Sequence, residues 1–150
     1  MRIKRIENKK IKNKSLCLSR SEIMRRIRGK NTTPEIAVRR ILREIGFPGY
    51  RLHRKDLPGH PDISFIGRRK AILVNGCFWH GHSCKVGTRR PKSNQDYWKS
   101  KIDRNIFKDS LNIKVFEEIG WKVLVVWECE IMDPPKSDAL KKKLKYFLNN

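Results

Sequence analysis

The stretch Ala71-Ile72-Leu73-Val74-Asn75-Gly76-Cys77-Phe78-Trp79-His80-Gly81-His82-Ser83-Cys84 joins two unlike segments. Its first four residues are a continuous apolar run, which predicts a short strand buried on both faces. From Val74 to Cys84, eleven residues hold two cysteines, two histidines and two adjacent bulky aromatics. Thiolate and neutral imidazole are the preferred ligands of zinc, and a free imidazole moves protons near neutral pH. One loop therefore carries the chemistry for a metal, a base and a stacking surface.

Downstream, the spacing of Trp98, Ile102, Ile106, Ile113, Phe116 and Ile119 predicts a helix over about 96–119. Val123 to Trp127 then reads as a second apolar strand. Two strands joined by a long helix favour parallel pairing through a right-handed crossover, so their C-terminal ends emerge together. Cys129, at the end of the second strand, can then join Cys77, His82 and Cys84 in a closed Cys3His tetrahedron, the mark of a structural zinc site. The spacing C-x4-H-x-C is not that of a standard zinc finger, and a buried core thiol is the competing use of Cys129. Cys17 lies in a basic segment and is left out of the set. With no secretory segment, a reducing cytosol is the expected setting, and metal binding suits the four cysteines better than two disulfides.

Upstream, Ser21 is placed to cap a short helix through Arg28, with Gly29 ending it. Thr33-Pro34-Glu35 offers an N-cap, a proline at the first helical position and an early acid for a second helix. Ala37, Ile41, Leu42 and Ile45 recur along it at helical spacing, and Gly46 supplies the stop. Tyr50–His53 and Ile63–Ile66 read as short strands, with Gly67-Arg68 as a tight turn. Ser137 is expected to cap a final amphipathic helix carrying Leu140, Leu144, Phe147 and Leu148 on one side. There are no internal repeats. The expected organisation is a flexible basic arm over residues 1–18 and a single α/β domain over 19–150.

The charge is lopsided: 36 Lys+Arg against 15 Asp+Glu gives +21, with a sequence pI near 10.3. The first thirty residues alone hold twelve Lys+Arg and two Glu, a local +10. A polyanionic partner is expected. Nucleic acid fits better than a membrane, because no apolar run approaches the ~20 residues that a spanning helix needs.

Asp62 follows Pro58-Gly59-His60-Pro61 at the start of a strand, where a carboxylate at the sheet edge can bind Mg2+ with waters and phosphate oxygens. Taken alone, a turn acid is the commoner use of such a residue. His80 can serve as a general base, as a further metal ligand or as a plain loop residue. Phe78-Trp79, joined by Trp98, suits either a core or a wedge inserted between base pairs.

The Pro-Asp followed by a buried strand resembles the pattern of the restriction-endonuclease-like nucleases. The usual acid-x-Lys element is missing, since Ala71-Ile72-Leu73-Val74-Asn75 holds no carboxylate. A closer resemblance covers about residues 19–133. It runs through Met24-Arg25-Arg26-Ile27-Arg28-Gly29-Lys30-Asn31-Thr32-Thr33-Pro34-Glu35 and Arg51-Leu52-His53-Arg54-Lys55-Asp56-Leu57-Pro58-Gly59-His60-Pro61-Asp62. It continues through Gly76-Cys77-Phe78-Trp79-His80-Gly81-His82, Gly120-Trp121 and Val126-Trp127-Glu128-Cys129. In these the chain resembles the very-short-patch-repair (Vsr) DNA mismatch endonucleases.

The resemblance implies a restriction-endonuclease-like fold, a central mixed β-sheet flanked by helices, with a structural zinc site. It implies a Mg2+-dependent enzyme that nicks one DNA strand 5′ to the thymine of a T·G mismatch left by deamination of 5-methylcytosine. Asp62 matches the metal-binding aspartate, Val74 a main-chain metal ligand, and His80 the histidine that activates water. Glu35 and Asp109 match acids that hold waters around the metal. Cys77, His82, Cys84 and Cys129 match zinc ligands. Phe78, Trp79 and Trp98 match intercalating aromatics, Met24 approaches from the other groove, and Arg54 and Lys55 are expected on DNA. The family's best-known member has histidine where this chain has Asn75, which cannot act as an acid or base near pH 7.

The expected partner is duplex DNA with a T·G mismatch, and beyond it other mismatch-repair proteins. The chain is expected to be a monomer in a bacterial-type cytoplasm, on the nucleoid. Two rival readings remain open: a zinc-stabilised DNA-binding module without catalysis, and a restriction-like nuclease with another site preference.

Overall fold

The computed structural model describes residues 29–132 and 134–150. The expected basic arm, the Ser21–Arg28 helix, Cys17 and Met24 lie outside the described residues. Helix α1 spans Thr33–Glu44. Its N-cap is Thr32 and not Thr33, because a cap one residue earlier puts Glu35 at the third helical position and closes a capping box. The Thr32 hydroxyl accepts the Glu35 N–H at 3.5 Å, while Glu35 Oε1 accepts the Thr32 N–H at 3.3 Å. At the other end Gly46 takes φ +89°, and the Phe47 and Gly46 N–H groups donate back to Leu42 and Arg43, a Schellman stop.

Four strands follow: β1 (Arg51–Leu52), β2 (Ile63–Phe65), β3 (Lys70–Asn75) and β4 (Lys122–Trp127). A 3-10 turn over Ile66–Arg68 closes the β2–β3 hairpin. The sheet order is β1-β2-β3-β4, antiparallel except for the last pair. There β3 and β4 run parallel, with Ala71 opposite Val123 and Asn75 opposite Trp127. Helix α2 (Gln95–Glu118) makes the crossover between them. The short helix α3 (Glu128–Ile131) leaves β4 without a break, and α4 (Pro134–Asn149) ends the chain.

The sheet is covered on both faces. Ile63, Phe65, Ile72 and Val126 pack with Val38, Ile41 and Leu42 of α1 and with Leu140, Leu144 and Leu148 of α4. Ala71, Phe116 and Leu57 pack on the other face with Trp121 and Val123. This alternation along β3 is what a strand buried on both sides produces.

Two expectations about the helices change. Ser137 lies inside α4, which starts three residues earlier on Pro134 and Pro135, where a missing backbone donor is harmless. Along α2, Trp98, Ile102 and Phe116 are buried, but Ile106 and Ile119 are 44% and 45% exposed. The helix packs by its two ends on the loop after β3 and on the sheet, while its middle meets that loop through polar contacts, Asn105 to the Trp79 carbonyl and Asp109 to His80. Among the described residues no helix is long and apolar enough to cross a membrane.

Candidate active site and metal centre

Because β3 and β4 are parallel neighbours, Asn75 and Trp127 end side by side and the segments leaving them share one edge of the sheet. The loop after β3 turns at once, with the His80 N–H on the Gly76 carbonyl at 3.2 Å and the His82 N–H on the Cys77 carbonyl at 3.0 Å. Cys129 sits in the first turn of α3, just past the strand end expected for it. The ligand atoms of Cys77, His82, Cys84 and Cys129 all lie within 4.8 Å of one another. Cys129 Sγ is 3.6 Å from His82 Nδ1, close to the ~3.5 Å edge of a tetrahedron built from zinc–sulfur and zinc–nitrogen bonds. This donor set fits a tetrahedral ion of that kind.

Packing holds the loop in that shape. The His82 ring stacks on Trp127 with centroids 4.4 Å apart. At Gly87 a β-carbon would run into the His82 carbonyl, so only glycine allows the return of the loop. Without a metal the thiols are poorly matched. Burial pushes Cys77 up to about 12, whereas the hydrogen bond from His82, followed by backbone N–H groups, draws Cys84 down to about 6. A cation among them would favour thiolate at both, since the thiolate is the form that ligates.

On the other side of Gly76 opens a cleft of about 530 Å³, lined among others by Glu35, His53, Asp62, Asn75, His80 and Asp109. Asp62 immediately precedes β2 and lines this cleft, at the start of a strand as expected. Its Oδ2 accepts the Val74 N–H at 2.7 Å. Burial, the dominant cause, raises its carboxyl above the usual aspartate range, and the negative charge of Glu35 adds to the effect.

His80 and Asp109 meet across the cleft. His80 Nδ1 is 2.5 Å from Asp109 Oδ2, and the Asn75 amide approaches the same oxygen at 3.5 Å. Glu35 is fully engaged: its two oxygens take the Thr32 N–H and hydroxyl, the Asn31 N–H and the Arg39 guanidinium. The acids expected near a catalytic metal therefore separate in space, with Glu35 and Asp62 on one side of the cleft and Asp109 bound to His80.

Several cleft residues carry no sequence-based assignment, Glu128 and His53 among them. Glu128 lines the cleft at the start of α3, and His53 lies with Glu35 and Asp62 in a group whose ligand atoms fall within 4.8 Å of one another. A signal for His53 exists in the strand register: with Leu52 opposite Ile63, residue 53 must fall beside residue 62.

The aromatic wall is continuous with the cleft. Phe78, Trp79 and Trp98 have centroids 5.2 to 5.9 Å apart, and Tyr97 and the Lys101 ammonium extend the group. Phe78 and Trp79 are half-buried, whereas Trp98 is only 5% exposed and forms the floor beneath them. Trp98 therefore supports the other two rings and does not project beyond them. Arg54 is held by Asp56 through two 2.6 Å hydrogen bonds, and Lys55 is exposed beside it.

Fold and site thus define a mixed α/β protein with a histidine–carboxylate cleft and a separate Cys/His centre. The sequence profile of the family described as DNA mismatch endonuclease Vsr matches residues 14–86. The chain is 48% identical over 130 residues to the type II nicking enzyme V.XorIIP of Xanthomonas oryzae pv. oryzae, covering 87% of this chain and 92% of that protein. It is 46% identical over 112 residues to the type II nicking enzyme V.NmeAIP of Neisseria meningitidis, covering 75% and 79%. With the DNA mismatch endonuclease Vsr of Escherichia coli it shares 33% identity over 132 residues, covering 87% and 83%. The chain belongs to the Vsr endonuclease family. It is accordingly a DNA endonuclease, and a DNA-binding module without catalysis is set aside.

The raised carboxyl of Asp62 has a pH signature. Ionising it in the folded state is unfavourable, so in metal-free protein Asp62→Asn should raise the melting temperature at pH 7. That gain should shrink as pH falls through the raised folded value and vanish below the ordinary 3.8, where both states hold the proton. Thermal melts in chelator across this range provide the check, and a destabilised variant at pH 7 would contradict the assignment.

Proposed function

We propose that the protein nicks one strand of duplex DNA 5′ to the thymine of a T·G mismatch, by hydrolysis that depends on Mg2+ and uses His80 as the base. The observation that carries this reading is the pairing of His80 with Asp109, 2.5 Å apart, across a cleft that Asp62 also lines. Asp109 takes the Nδ1–H and fixes the ring, leaving the Nε2 lone pair to accept the proton of the attacking water. The new P–O bond forms as the bond to the leaving sugar oxygen breaks. Asp62 and the Val74 main-chain oxygen would hold Mg2+, which supplies charge neutralisation at the scissile phosphate. Asn75 takes no part in proton transfer, and its amide N–H, donated toward Asp109 Oδ2, helps to keep that carboxylate in place.

The remaining assignments follow the same frame. Cys77, His82, Cys84 and Cys129 hold a structural zinc, and the half-buried Phe78 and Trp79 open the mismatched step while Trp98 backs them. Met24, Arg54 and Lys55 contact the DNA, Arg54 after release from Asp56. The protein works as a monomer on the bacterial-type nucleoid. A second reading has its own support: two of the similar proteins are type II nicking enzymes. In that reading the strand cut is the same and the sequence context differs.

On end-labelled duplexes with Mg2+, the T·G duplex should be nicked in the thymine strand and the matched duplex left intact. His80→Ala should nick about 10²–10⁴-fold more slowly with unchanged DNA affinity. Equal nicking of matched duplex would remove the mismatch assignment, and full activity of the variant would remove the base. Cys84→Ser should lose bound zinc and melt at a lower temperature, because structural zinc contributes folding free energy; an unchanged zinc content would refute that ligand set.

A further inference from the structure

His53 stands in the cleft with no part in the reading above. It follows β1 with φ +46°, a left-handed backbone that side chains other than glycine rarely take and that clusters at functional sites. Its own N–H still reaches the Asp62 carbonyl at 3.4 Å, so the ladder to β2 persists while the ring lies between two carboxylates. Nδ1 is 4.0 Å from Asp62 Oδ1, and Nε2 is 3.4 Å from Glu35 Oε2.

The 4.0 Å gap is too long for a hydrogen bond. It is within the span of two donors on one cation, each about 2.1 Å from it. Asp62 Oδ1 is the oxygen available for this, since Oδ2 takes the Val74 N–H. On the far side the Glu35 carboxylate, 3.4 Å from Nε2, favours the ring proton on that nitrogen by its charge, which leaves the Nδ1 lone pair facing Asp62. Metal-ligating histidines are built this way, with the second ring nitrogen donating to a carboxylate. Arg39 lies 3.2 Å from Nε2. Were it to donate there, the ring proton would sit on Nδ1 and aim at Asp62 across a distance that makes no bond. Arg39 already has Glu35 Oε2 at 2.9 Å and Asn31 Oδ1 at 2.7 Å.

We propose that His53 Nδ1 is a direct ligand, beside Asp62 Oδ1, of the cation this cleft binds, with Glu35 fixing the tautomer. The inference rests on the metal assignment of Asp62. An imidazole donor moves the preference of such a site from Mg2+, which favours oxygen, toward Mn2+.

Full-length zinc-loaded protein is titrated with MnCl2 in the absence of DNA, free Mn2+ being read from its EPR signal, and Mg2+ is then used as competitor. Wild type should bind Mn2+ more tightly than Mg2+. His53→Asn, which tolerates the left-handed backbone, should weaken Mn2+ at least 10-fold while zinc content and melting temperature hold. His53→Gly, equally at ease with that backbone, should give the same loss should the asparagine variant fold poorly. Unchanged Mn2+ affinity in a folded His53 variant, with binding abolished in Asp62→Asn, would remove His53 as a ligand and leave the Asp62 site standing. Unchanged affinity in Asp62→Asn would overturn the underlying metal assignment, and a wild type with no preference for Mn2+ would overturn the nitrogen ligand.

Discussion

The parallel pairing of β3 with β4 is the constraint on which the rest depends. It sets Asn75 beside Trp127, and from those two ends the chain reaches Cys77 and Cys129 within a few residues. A slip of one residue would move the strands by about 3.3 Å and turn every side chain of one strand to the opposite face. Ile72 would leave the face it shares with Val126, and Ala71 would leave that of Phe116. The two-sided core thus fixes the register, and the register brings the four metal-type ligands together. Between those ligands lies His80, whose position is set by the Cys77–His82 turn below it and by Asp109 of α2 opposite.

Charge is divided in space. The whole chain carries +21, yet the residues lining the cleft include four carboxylates, Glu35, Asp62, Asp109 and Glu128, and one lysine, Lys30. A basic exterior attracts the phosphate backbone over a distance of the order of the Debye length, about 8–10 Å at moderate salt. An acidic cleft in low dielectric suits a small cation and disfavours an unshielded phosphate. Burial of Asp62 is unfavourable in the free protein, in keeping with a site whose groups are arranged for binding and not for stability.

Much of this was legible in the sequence because it depends on period and spacing. The apolar runs at 71–74 and 123–127, the long helix between them and the Cys/His spacing require only local patterns and the handedness of crossovers. What was not legible depends on competition between neighbours or on three-dimensional pairing. Thr32 and Thr33 are both good caps, and the reach of Glu35 decides between them. Ser137 is a good cap overridden by two prolines that start the helix sooner. Ile106 fits the helical period, but it lies over Gly81 and borders an open pocket with Val125 and Trp127, which leaves it 44% exposed. His53 looked like a strand end until the β1–β2 register set it against Asp62. The Asp109–His80 contact joins residues 29 apart, and no spacing rule announces it.

The contact between His80 and Asp109 is the part of the site whose role is tested most directly. Single-turnover nicking of a T·G duplex by His80→Ala, Asp109→Ala and the double variant measures it, because groups that act as a unit are strongly non-additive. If Asp109 works only by orienting His80, the double variant should be about as slow as His80→Ala alone. Losses that multiply would contradict the account, since Asp109 would then act on the reaction independently of the histidine.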